Sequence, residues 1–153
     1  MCVIIDANVA SLVFGDPPDD NFLPVFQWLS KPNKDGRVVV GGRLADELYK
    51  VENVGRWIRT LNQAGRAPLL PKVKVDAEEQ QVIQLGLCKS DDPHIIALAR
   101  LSGARTLCSH DKDLHQDFKN VQLISDPKGC VYQCQKHARL LTHTTSCGKS
   151  SKH

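Results

Sequence analysis

Residues 91–102 constrain the fold of this chain more than any other stretch. Ser90, Asp91 or Asp92 can cap a helix there, Pro93 suits its first turn and Gly103 suits its end. Between these signals Ile95-Ile96-Ala97-Leu98-Ala99 is apolar on nearly every side. A helix with no polar face has nothing to offer water. It belongs in the middle of a domain, packed on more than one side.

The rest of the chain supplies short strands to pack against it. Apolar or β-branched runs at residues 3–5, 37–40, 105–108 and 121–124 read as strands. Helices are expected at residues 8–14, 21–30, 41–51, 54–64, 77–87 and 111–118, with a turn-rich loop at 31–36 and a proline-containing connection at 67–75. Phe22, Val25, Phe26 and Leu29, for example, recur at helical spacing. Strands that alternate with helices imply a parallel sheet covered on both faces. The expected class is α/β, a three-layer α/β/α sandwich around a central, mostly parallel sheet. At 153 residues the chain suits one such core.

No apolar run approaches the ~20 residues of a membrane span. Met1-Cys2-Val3-Ile4-Ile5-Asp6 reads as an opening strand rather than a secretory leader, so a cytoplasmic protein is expected. Cys2, Cys88 and Cys108 lie in apolar segments and are expected to pack as free thiols. Charge is unevenly placed. From Lys128 onward there are five Lys and Arg and no acid, while the preceding 127 residues carry 15 Lys and Arg against 17 Asp and Glu. The division expected is therefore a domain over residues 1–126 and a basic, Cys/His-containing extension over residues 127–153.

In open α/β sheets ligands bind at the carboxyl ends of the strands. Asp6 directly follows the first strand, Asp111 lies three residues past the third, and Asp92 opens the central helix. Glu47 shares a helical stripe with Leu44, Leu48 and Val51, where an acid is costly unless it is paired or holds a metal. Each acid has a plainer reading: Asp6 ending a turn, Asp92 and Asp111 as helix caps, Glu47 paired with Arg43. Four on one edge suggest more. Crowded carboxylates repel, and a hard cation such as Mg²⁺ or Mn²⁺ relieves that while activating water against a phosphodiester. No Ser-His-Asp or Cys-His signature competes with this chemistry.

Val3-Ile4-Ile5-Asp6-Ala7-Asn8, the Gly41–Leu48 segment with Glu47, Asp91-Asp92-Pro93-His94-Ile95-Ile96-Ala97-Leu98-Ala99, and Thr106-Leu107-Cys108-Ser109-His110-Asp111 together resemble, in order and spacing, the four motifs of the PIN-domain nucleases, including VapC-type toxins. The resemblance covers roughly residues 1–126 and is most specific in the last two motifs. It implies an α/β/α sandwich, a Mg²⁺ or Mn²⁺ site formed by Asp6, Glu47, Asp92 and Asp111, and endoribonuclease activity on RNA. Ser109 would help orient the cluster and Asn8 would lie beside Asp6. Asp91 and Asp113 neighbour the matched acids and could share a ligand role. Ala7 departs from the Thr or Ser often found after the first Asp. A small free-standing protein of this kind looks like a toxin restrained by an antitoxin, and homodimers are common among them.

The extension holds Cys130, Cys134, His137, His143 and Cys147, enough soft ligands for Zn²⁺ although the spacing matches no standard finger. The other readings are a basic tail with incidental Cys and His, or a tail that binds RNA phosphates or a partner. Arg43, Lys89, His110 and Lys112 near the motifs, and Arg56, Arg59 and Arg66 further away, are candidate RNA contacts. A catalytically silent scaffold binding a protein or RNA partner is the rival function, and the intact acid set argues against it. An aspartyl phosphatase would want Asp-x-Asp where the chain has Asp6-Ala7-Asn8. Gly41-Gly42 lacks the further glycines of a dinucleotide fold.

Overall fold

The computed structural model describes residues 2–142. The elements run β1 (Cys2–Ile5), α1 (Ala7–Val13), α2 (Leu23–Ser30), β2 (Arg37–Val38), β3 (Val40–Gly41), α3 (Gly42–Tyr49), α4 (Glu52–Gln63), β4 (Leu69–Leu70), α5 (Lys72–Leu85), α6 (Pro93–Ser102), β5 (Thr106–Cys108), α7 (Lys112–Lys119) and β6 (Cys130–Tyr132), followed by a 3-10 helix (Gln135–Thr142). A four-stranded parallel sheet has the order β2-β1-β5-β6, and β3 pairs with β4, also in parallel. This is the α/β class expected, with helices flanking the sheet.

Successive strand residues point to opposite faces. All four residues of β1 are fully buried, so both faces of the sheet are covered. In α6, Ile95, Ile96, Ala97, Leu98 and Ala99 are likewise fully buried, and the helix packs on α5 and α3. Each such Ile or Leu contributes about 1.5–3 kcal/mol relative to an exposed side chain. Gly103 ends α6 in the left-handed conformation, φ 82°, which costs a glycine nothing. Gly42 is left-handed too, at φ 56°, and a Cβ there would sit 2.7 Å from Val75 Cγ1, so α3 can lie close on α5 only with glycine at this position.

The run at 37–41 serves two sheets. Val39 N donates to Val3 O on one side, while Val38 N and Val40 N donate to Arg66 O and Pro68 O on the other. Two arginines brace the amino ends of strands. Arg66, just before β4, donates to the carbonyls of Gly36, Lys31, Trp28 and Lys34 at the entry to β2. Arg105 donates to the carbonyls of Ala99, Ala104, Ser125 and Pro127 at the entry to β5.

Several expectations are corrected. Residues 121–124 form turns, not a strand. The Asn120 side chain accepts from Gln122 N and its carbonyl accepts from Leu123 N and Ile124 N, which leaves Val121 exposed while Leu123 and Ile124 insert into the core. The fourth strand is β6, whose residues the sequence assigns to the extension. Its Tyr132 is fully buried and donates to Asn21 O at 2.7 Å. Helix α5 begins at Lys72 rather than 77, inside the expected connection. Cys2 is disulfide-bonded rather than a free thiol, a pairing that no spacing in the sequence signals. Cys88 and Cys108 are free. Among the described residues no helix is long and apolar enough to cross a membrane.

Candidate active site at the carboxyl edge of the sheet

The carboxyl ends of β1 and β5 are adjacent because the two strands pair, Ile5 beside Cys108. Asp6 continues this pairing, its N–H donating to Cys108 O at 2.9 Å. One hydroxyl then ties the two strand ends together. Ser109 Oγ donates its single proton to Asp6 Oδ2 at 2.8 Å and accepts from Asp111 N at 3.0 Å. Asp111 caps α7, its Oδ1 accepting from Asp113 N and Leu114 N. Oδ2 of Asp111 has no protein partner among the described residues.

Asp92 stands at the cap position of α6 yet makes no side-chain capping bond, so its carboxylate is uncommitted. The loop that delivers it is held from below. Asp117, almost fully buried in α7, accepts from Lys89 N, Ser90 N and Ser90 Oγ at 2.8–2.9 Å, and Ser90 Oγ in turn accepts from Asp92 N. Glu47 meets buried His94 at 3.2 Å, and His94 meets Arg43 at 3.0 Å. The tautomer follows from these partners. An arginine only donates, so His94 Nδ1 accepts from Arg43, and Nε2 carries the proton toward Glu47 Oε1.

The four acids feel one another. Burial pushes the Asp6 carboxyl above the usual aspartate range, and the Glu47 charge adds to this, while bonds from Ser109 and the Asn8 amide pull the other way. Burial likewise raises Asp92 and the Asp6 charge adds to this, while His94 pulls the other way and the charges of Glu47 and Asp111 add smaller pushes upward. Acids from four separate segments thus lie within electrostatic reach of one another, and the Asp92 carboxylate makes no capping bond. Such oxygens are the donors that Mg²⁺ or Mn²⁺ takes. Among the described residues no group of three His, Cys, Asp or Glu is arranged to hold an ion as it stands. Mg²⁺ commonly binds through one or two carboxylates, water and substrate phosphates, not a full protein cage. The donor chemistry fits, with the cage incomplete.

Not every candidate lies where its sequence position suggests. Glu47 is 42% exposed and meets buried His94 at the margin of the face that buries Leu44 and Leu48, while Val51 lies past the end of α3 and is exposed. Arg43 pairs with Glu79 at 2.8 Å, not with Glu47. Asn8 is exposed and its Oδ1 accepts from His110 N at a long 3.5 Å. Asp91 and Asp113 are exposed beside the cluster. Arg66 is used up on backbone carbonyls, and Arg59 lies over the Tyr49 ring. Arg56 reaches Asn53, Lys89 reaches Gln116, and His110 leans on the Phe22 ring, while Lys112 is exposed.

Of the zinc candidates, Cys130 Sγ lies in the sheet against Arg105 O and Thr106 Oγ1, and His137 Nδ1 accepts from Gln133 N. Cys134 is a half-buried free thiol. His143 and Cys147 lie outside the described residues.

Asp117, His94 and Glu79 have no assigned role in the sequence motifs, yet in the folded chain they support this edge. A signal existed for Asp117, which falls three residues after Leu114 and one before Phe118 on the buried face of α7.

No protein-family model matches the chain. No curated protein matches it either. Among solved structures, the chain is similar in backbone course to VapBC2 from Rickettsia felis bound to a DNA fragment from their promoter, with 16% identity, a TM-score of 0.47, and coverage of 88% of this chain and 99% of that one. A likeness that shallow carries no weight on function.

Proposed function

We propose that this chain is a metal-dependent endoribonuclease that hydrolyses RNA phosphodiesters at the edge formed by Asp6, Glu47, Asp92 and Asp111. One observation carries the reading: Ser109 ties Asp6 to the start of the Asp111 helix, and the Asp92 carboxylate, which makes no capping bond, feels the charges of Asp6, Glu47 and Asp111. A fold that spends stability to keep acids together is one whose function uses them. The four sequence motifs that resemble those of PIN-domain nucleases point the same way.

Bound Mg²⁺ or Mn²⁺ would supply Lewis-acid activation of water and charge neutralisation at the phosphate. The protein does the positioning. Ser109 fixes the rotation of Asp6, the α7 amides fix Asp111, His94 orients Glu47, and Asp117 anchors the loop bearing Asp92. The biological role in this reading is the toxin of a toxin–antitoxin pair, with a protein antitoxin and a homodimer as partners. Exposed Leu69 and Val73 offer apolar surface that a protein partner would cover.

The second reading is a catalytically silent scaffold that binds a protein or RNA partner. It is favoured by the absence, among the described residues, of three ligating side chains arranged around one point.

Labelled structured RNA and labelled single-stranded DNA incubated with Mn²⁺ or Mg²⁺, beside EDTA and Asp92→Asn controls, separate the two. The expected result is RNA cleavage that EDTA abolishes and Asp92→Asn lowers roughly a hundredfold or more. No cleavage of either polymer, or cleavage that survives Asp92→Asn, sinks the nuclease and leaves the scaffold.

A further inference from the structure

The turn that carries Ser109 is held by a histidine that none of the four sequence motifs includes. His115 stands in the first turn of α7, where side chains lean toward the amino end of the helix. It is almost fully buried, and its Nε2 lies 2.6 Å from the Ser109 carbonyl oxygen. A carbonyl only accepts, so Nε2 carries the proton and Nδ1 presents its lone pair. Gln133 Nε2 lies 3.4 Å from Nδ1 and donates to it.

Gln133 comes from the segment that the sequence places outside the domain. Strand register brings it here. Tyr132 pairs with Cys108, so the next residue of each strand, Gln133 and Ser109, leaves the sheet beside the other. The Gln133 backbone is fixed in turn, its N–H donating to His137 Nδ1 at 3.0 Å.

What this support holds is the joint of the acidic edge. Ser109 is fully buried, and its hydroxyl meets Asp6 Oδ2 and Asp111 N at once. A group with two partners to satisfy tolerates little movement of the backbone that carries it. Residues 109–111 belong to neither β5 nor α7. The buried Ser109 carbonyl therefore needs a partner outside those elements' own ladders, and His115 supplies it.

We infer that His115, oriented by Gln133, is a positioning residue for the acidic edge: its hold on the Ser109 carbonyl sets the hydroxyl that orients Asp6 and the start of the Asp111 helix. This goes beyond the nuclease reading, since it concerns how the edge is built whether or not RNA is cut there. It also makes the segment after residue 126 part of the site. A histidine that merely filled the core would act through its ring volume, whereas this role depends on one N–H in one place.

Three full-length variants separate those two roles. His115→Gln keeps an amide N–H at the reach of Nε2, His115→Leu keeps bulk without the donor, and Gln133→Ala releases Nδ1 alone. Gln133 is exposed, so that variant keeps the fold and carries the test if His115→Leu does not. The ring ¹⁵N spectrum of the wild-type chain in EDTA is expected to show Nε2 protonated and Nδ1 bare. Hydrogen exchange of the Asp111 amide, referenced to Leu107 in β5, should quicken roughly tenfold or more in His115→Leu and return most of the way in His115→Gln. With Mn²⁺ and RNA, kcat should fall roughly tenfold or more in His115→Leu with KM little changed, recover in His115→Gln and fall less in Gln133→Ala. A filler role predicts the opposite order, with Leu tolerated better than Gln in a buried place. That order, or a proton on Nδ1, overturns the inference. The expected exchange pattern without cleavage by the wild type keeps the positioning role and sinks the nuclease. Cleavage that is unchanged in both His115→Leu and Gln133→Ala overturns the positioning role and keeps the nuclease.

Discussion

The two ends of the parallel sheet treat charge in opposite ways. At the amino ends of β2 and β5, Arg66 and Arg105 each donate to four backbone carbonyls, and their hydrogen-bonding capacity is almost wholly consumed. At the carboxyl edge, Asp92 accepts nothing as a cap and Asp111 keeps one oxygen without a protein partner. A charged group whose partners are complete holds the chain. One whose partners are missing is available to something outside it. Asp117 shows that the distinction follows partners rather than residue type. It sits beneath the acidic edge, yet it is spent on three donors from residues 89 and 90.

Substitutions can break this contrast. Asp117→Ala should have the largest effect on stability, about 3 kcal/mol, because it leaves two part-buried amides and a hydroxyl without their shared acceptor. Urea unfolding with an unchanged slope would measure it. A loss under 1 kcal/mol would show that water replaces Asp117 easily and that the loop is not anchored there. Arg105→Ala comes next, at about 2 kcal/mol, since some of its carbonyls can turn to water. The folded Arg105→Ala protein should cleave RNA at the wild-type rate. A fall in rate would show that the two ends of the sheet are coupled.

Asp92→Asn should do the reverse. It should remove activity yet stabilise the metal-free protein slightly, on the order of 0.5 kcal/mol, by relieving like-charge repulsion. A destabilised variant would mean that Asp92 is a structural cap after all. The smallest effect is the pH dependence of that gain. Asp6 and Asp92 are raised in the folded protein, so the stability tied to their protonation is fully present below the unfolded carboxylate pKa and is lost as pH rises through the folded value. The advantage of Asp92→Asn over wild type should accordingly be present near about pH 7.5 and vanish below about pH 4. Melting curves in EDTA across that range check it. A constant difference would assign the gain to something other than charge.

Much of this edge is legible along the chain, because strand ends and helix starts are local events. Asp6 after an apolar run, Asp111 after another, and Asp92 before Pro93 mark the places where a parallel sheet presents side chains to a ligand. The stripe through Leu44 and Leu48 puts Glu47 at the margin of the core, where it meets His94, but Val51 lies beyond the end of α3 and is exposed. Helical spacing likewise puts Asp117 beside buried Leu114 and Phe118 on α7. The fourth strand was misplaced because residues 121–124 and 130–132 are both short and apolar, and only pairing with β5 separates them.

By itself, then, the sequence determined the α/β class, the buried central helix and the acids at element ends, since each depends on patterns within a few residues. Tertiary structure alone decided which charges are satisfied. Ser109 lies 103 residues from Asp6, His94 lies 47 from Glu47 and 51 from Arg43, and Asp117 lies 27 from Ser90. Whether a carboxylate is a fastener or a free ligand depends on partners at such distances, and these meet only when the chain has folded.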